Sequence, residues 1–108
     1  MQFPTNIPSV TIWEKTVIDR APAYIRHELG AAYWEDTRGQ TEHGREPDDH
    51  VFLAIHADNV TYLLKKEDRV LPGSVDSAAP PRDALTVMQV KDFRYGSTMM
   101  QHIEVILK

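Results

Sequence analysis

The sequence predicts an all-β domain, a small antiparallel barrel or sandwich with two long polar loops, and three observations carry that prediction. Several runs rich in β-branched and aromatic residues alternate apolar and polar side chains with period two, the clearest being "FRYGSTMMQHIEVILK" at residues 93–108. Between them lie polar stretches holding glycine and proline, which suit surface connections and break regular elements. The chain has 108 residues, 42% of them hydrophobic and 26% charged, enough for one domain over residues 1–108 and too few for a second core.

The first element is "SVTIWEK" (9–15), with Val10 and Ile12 opposite Thr11 and Trp13, read as a strand. The next stretch, "DRAPAYIRHELGAAYWED" (19–36), carries conflicting signals. Asp19 suits a helix cap, Pro22 a first turn and Gly30 a helix end. Against that, Ile25, Leu29, Ala31 and Tyr33 share period two with His27, and one strand from about Tyr24 to Asp36 is expected. Residues 36–50, "DTRGQTEHGREPDDH", hold no large apolar side chain and read as a long exposed loop. "HVFLAIHAD" (50–58) is a strand with Val51, Leu53 and Ile55 on one face and Phe52, Ala54 and His56 on the other, apolar enough to be covered on both sides. "VTYLL" reads as a helical turn or a strand, "EDRVLPG" as a brief strand closed by a Pro-Gly turn, and "SVDSAAPPRD" as the second polar loop. Last come "ALTVMQVKDF" and "TMMQHIEVILK", joined by "RYGS", where Gly96 supplies the positive φ of a tight hairpin. In the final strand Met99, Ile103, Val105 and Leu107 share a face with Gln101, and Met100, His102, Glu104 and Ile106 share the other. The total expected is five or six strands.

Composition narrows the function. A formal charge of −4 lacks the basic excess by which proteins displace counterions from nucleic acid. With no cysteine, disulfides and thiolate chemistry are excluded, and a small core is left to packing or to assembly. "MQFPTNIPSV" has no basic-then-apolar leader and no window approaches a membrane span, so a soluble, intracellular chain is expected.

Chemistry is sparse. Nucleophile elbows, phosphate-cradling loops, paired zinc-binding histidines and dinucleotide fingerprints are all absent from the sequence. His43, Glu46, Asp48, Asp49 and His50 offer oxygen and nitrogen donors on one loop, but nothing rigid preorganises them. A solvated charged loop is the favoured reading, with no metal and no cofactor. His27 and His56, inside apolar strands, read as hydrogen-bonded core or interface residues. His102 and Glu104, on one strand face, read as a structural pair, because an acid/base role needs a third orienting group. Trp13, Trp34, Phe52, Tyr62, Phe93 and Tyr95 read as core aromatics rather than base-stacking platforms.

Together the strand "VTIWEK", then "YIRHELGAAYWED", a polar loop, "HVFLAI", "EDRVLPG" and the closing hairpin resemble the small head-to-tail connector proteins of tailed bacteriophages and prophages. The likeness is greatest to short prophage proteins labelled minor capsid proteins, and more broadly to head-closure (stopper) and head-tail joining proteins. It is carried by Val10, Thr11, Ile12, Trp13 and Lys15, then by Tyr95, Gly96, Ser97, Gln101, His102, Glu104 and Val105. An extra residue between Ser97 and Gln101, within "TMM", is expected to form a bulge. The resemblance implies a non-enzymatic β-barrel in a homo-oligomeric ring of the virion neck, assembled in the bacterial host cytoplasm. A portal or adaptor protein lies above it and a tail terminator or tail tube below. The ring closes the filled head, docks the tail and lets DNA pass without specific binding. It further implies a channel loop at 36–50, containing Arg38, Gly39, Glu42, Gly44, Arg45, Glu46, Asp48 and Asp49, and a structural or interface strand bearing Gly96, Ser97, Gln101, His102 and Glu104. Two alternatives stay open: an OB-like nucleic-acid binding module, and a small metal-dependent enzyme using the 43–50 loop.

Overall fold

The computed structural model describes residues 3–38 and 50–108, and it is all-β apart from one 3₁₀ turn, Ala57–Asn59. Seven strands form one antiparallel sheet: β1 (Val10–Ile18), β2 (Ala21–Leu29), β3 (Tyr33–Asp36), β4 (Val51–His56), β5 (Arg69–Pro72), β6 (Leu85–Phe93) and β7 (His102–Leu107). Their order across the sheet is β2-β1-β5-β6-β7-β4-β3. The two edge strands are neighbours in sequence, so the sheet curls back on itself, yet no ladder joins β2 to β3 and the barrel stays open. At that corner Ile7 bridges Ala32, while the Asn6 side chain donates to the Trp34 carbonyl and accepts from the Trp34 N–H. No helix among the described residues is long and apolar enough to cross a membrane.

One core fills the curl. Val10 and Ile12 of β1 and Leu29 of β2 meet Val51, Leu53 and Ile55 of β4, Val70 of β5, Val87 of β6, and Ile103, Val105 and Leu107 of β7. These side chains alternate along each strand, so period two places them on a single face, and burying each contributes about 1.5–3 kcal/mol. The reverse face at the root of β1 is strapped by residues 73–79. Thr11 donates to the Gly73 carbonyl at 2.7 Å, the Trp13 indole N–H to the Ser77 carbonyl at 2.7 Å, and Arg26 Nε to the Val75 carbonyl at 2.7 Å. Trp13 is thereby fully buried and unable to stack on a base.

Several expectations change. The single strand over 24–36 is two strands, because the backbone turns at residues 30–32. There the Asn59 amide donates to the Ala31 carbonyl, and a Cβ on Gly30 would lie 3.0 Å from the Asn59 side chain. Asp19, which suits a helix cap only in the reading not favoured, is the tip of a long hairpin, with Asp19 at φ 52° and Arg20 at φ 68°, the geometry of a type I′ turn. β1 therefore runs three residues past Lys15. The bulge lies in β6, not β7: Val87 pairs with Leu107 and Gln89 with Ile106, leaving Met88 without a partner. β7 begins only at His102, so Met99 sits outside the ladder and is 45% exposed rather than facing the core. Tyr95 is exposed for the same reason, which corrects its reading as a core aromatic.

Candidate functional site

Three places hold the polar side chains that matter. The first is the end of the β6–β7 connection, residues 94–101. Gly96 has φ 80°, as the turn reading requires, but the connection is longer than a tight hairpin. Asp92 shapes its start, accepting from the Arg94 backbone N–H and guanidinium, and this pairing holds the Asp92 carboxyl below its ordinary range. The Met100 N–H donates to the Ser97 carbonyl, the Gln101 amide to the Gly96 carbonyl at 3.0 Å, and the Ala57 N–H to the Gln101 carbonyl at 2.8 Å. His102 Nδ1 lies 2.6 Å from the Met100 carbonyl oxygen and its Nε2 lies 3.0 Å from the Glu104 carboxylate. Gly96, Ser97, Gln101, His102 and Glu104 are thus brought into one turn-and-strand unit, and both nitrogens of His102 are committed within it.

Aromatic rings extend this unit. Phe93 stacks on His102 at 5.3 Å between centroids, and Phe3 bridges His102 at 5.1 Å and His56 at 5.5 Å. His56 Nδ1 accepts the Asp58 backbone N–H, so the proton sits on Nε2 and is donated to the Thr98 carbonyl at 2.9 Å. A groove of about 490 Å³ opens here, lined by Phe3 and Met99 and by the polar Thr5, His56, Asp58, Asn59 and Thr98.

The second place was missed from sequence. Asp68 is fully buried and accepts from the Lys15 N–H at 2.9 Å, the Lys65 N–H at 3.0 Å, the Tyr62 hydroxyl at 2.6 Å and Lys65 Nζ at 2.9 Å. Tyr62 stacks face to face on His27 at 4.1 Å, and His27 Nε2 lies 2.8 Å from Glu14. Burial, and then the adjacent Asp68 carboxylate, push the Tyr62 hydroxyl far above its ordinary value and keep it a neutral donor. This knot fastens the middle of β1 to the segment before β5. The only trace in sequence is the spacing Tyr62, Lys65, Asp68, which resembles any solvated polar run.

The third place is the expected channel loop. Gly39, Glu42, Gly44, Arg45, Glu46, Asp48 and Asp49 lie outside the described residues, as does most of the donor set read as a metal alternative. Arg38 is described and folds back in a two-pronged pair onto Asp36, holding that carboxyl below its ordinary range. Thr37 closes the loop's base by a hydroxyl bond to the His50 carbonyl at 2.7 Å. Comparison with protein-family models, curated proteins and solved structures finds no match.

Proposed function

We propose that this chain is a structural subunit of the neck of a tailed bacteriophage, forming a homo-oligomeric ring between the portal or adaptor and the tail. In that position it closes the DNA-filled head and gives the tail its docking surface. The observation that carries the reading is the role of the residues behind the resemblance. Val10, Thr11, Ile12 and Trp13 are buried supports of β1, and in the unit that ends β6 and starts β7 Gln101 bonds Gly96, His102 bonds Glu104, and Ser97 and His102 both bond the Met100 backbone. All are spent on holding shape, as a scaffold requires. The net charge of −4 suits a surface that DNA passes without being held.

The test is deletion of the gene from its phage. The proposal expects portal-bearing heads whose DNA is open to nuclease, free tails beside them, and restoration by the supplied protein. Infectious, fully protected particles from the deletion would overturn it. Salt-sensitive binding of single strands by the purified protein, or one equivalent of bound metal, would turn the reading to a nucleic-acid module or a metal-dependent enzyme.

A further inference from the structure

β5 reaches along β1 only as far as Trp13, opposite Arg69. Beyond the ties of Lys15 to Asp68 and Glu67, residues 16–18 and 21–23 continue as a bare two-stranded arm whose register pairs Thr16 with Ala23, Val17 with Pro22 and Ile18 with Ala21. A lone hairpin of this kind is marginal in water, and this one presents apolar side chains on both faces. Val17 is 68% exposed and Ile18 52%. Pro22 sits on the outer strand, a residue that discourages another strand from extending the sheet, so the arm is suited to docking by its side chains. At its tip Arg20 is held out in the left-handed region and forms no ion pair among the described residues.

The groove beside His56 has the complementary character. Phe3 and Met99 line it together with the polar Thr5, Asn59 and Thr98, and the Asp58 carboxylate stands 89% exposed with His56 Nδ1 at 3.6 Å. One patch therefore offers two aliphatic side chains and a cation without an ion pair among the described residues, and another patch of the same chain offers a mostly polar groove with two apolar side chains, Phe3 and Met99, and an exposed anion.

We infer that the arm of one copy seats in the groove of the next, with Val17 and Ile18 against Phe3 and Met99 and Arg20 paired to Asp58. Because the two surfaces differ, the contact is head-to-tail and repeats around a ring. This deepens the neck-ring reading, and rests on it, by naming the contact that joins subunits. The occupant is a second copy because the chain itself carries both halves of the match, in charge and in apolar side chains.

Native mass spectrometry and light scattering on the full chain test it, with circular dichroism to check folding. The wild type is expected to form one closed oligomer. Ile18→Asp, far from the core, should stay folded and become monomeric. R20E or D58R alone brings like charges together and should raise the concentration for half-assembly at least tenfold. The double variant R20E/D58R should recover assembly, since it restores opposite charges at every junction, and an equal mixture of the two single variants should recover it in part, through junctions where the two alternate. A monomeric wild type at all concentrations, or assembly indifferent to these substitutions, overturns the contact; so does loss of assembly in Ile18→Asp with none in D58R, the mark of arm against arm. An oligomer unaffected by the variants leaves the neck ring standing while removing this contact, so the two failures are distinguishable.

Discussion

Replacing Asp68 by alanine is predicted to destabilise the fold by about 3–5 kcal/mol, the range expected when one partner of a buried ionic pair is removed. The structure supplies the reason. Four donors converge on a carboxylate that is 0% exposed: the backbone N–H groups of Lys15 and Lys65, the Tyr62 hydroxyl and Lys65 Nζ. The ammonium loses least, since its side chain is 52% exposed and keeps the Lys15 carbonyl at 2.8 Å. The two backbone groups and the phenol make part-buried bonds to it, and a buried donor without a partner costs about 1–3 kcal/mol. Relaxation around the gap brings their sum into the range given above. Against a total of about 5–15 kcal/mol for a domain, this is a large share. The melting temperature should fall by about 12 °C or more, at about 4–8 °C per kcal/mol for a domain of this size. Asp68→Asn keeps one acceptor oxygen and should lose about 1–3 kcal/mol. Urea unfolding followed by tryptophan fluorescence reads the change, because Trp13 passes from full burial to solvent. A loss below about 1 kcal/mol in the alanine variant would refute the view that this carboxylate anchors β1.

Other outcomes follow from the same geometry. Gly96→Val should cost about 1 kcal/mol or more through backbone strain alone, since φ is 80° and a Cβ there meets nothing within 4 Å; equal melting curves would refute the turn. Burial and Asp68 raise Tyr62, so above about pH 10 the unfolded chain releases this proton first and stability falls as pH rises further. Alkaline unfolding curves should therefore be shallower for Tyr62→Phe, which is also the weaker protein at neutral pH. Asp36 and Asp92 are depressed by Arg38 and Arg94, so their contribution is present above about pH 4 and disappears as pH falls through the folded-state values. Both pairs are solvent-exposed, so the Asp36→Asn/Asp92→Asn double variant should change the acid limb slightly and only at low salt.

What the sequence disclosed was local. Period two in 51–56, 85–93 and 102–107 marks strands because each has one buried face, and Gly96 marks a turn because only glycine takes its φ without strain. The all-β antiparallel class followed from those runs. The features that escaped depend on partners far along the chain. Asn59 breaks the backbone at 30–32, and Asp68 is buried because Lys15 and Tyr62 come to it. The arm escaped because Asp19–Arg20 makes a type I′ turn without glycine, against the usual signal. The strand pattern in 98–101 misled, since Met99 alternates correctly yet lies in the turn before β7 begins. The groove at His56 joins Phe3, Asp58 and Met99, which no sequence spacing connects.

The central claim is that this chain builds a ring in a phage neck, and cryo-electron microscopy of purified particles tests it most directly. The account predicts a cyclic band of density between portal and tail, built of thin subunits of about 43 × 40 × 22 Å. Each subunit should present the 16–23 arm to its neighbour. Particles whose neck has no density fitting this fold, with the protein absent from them by mass spectrometry, would contradict the account.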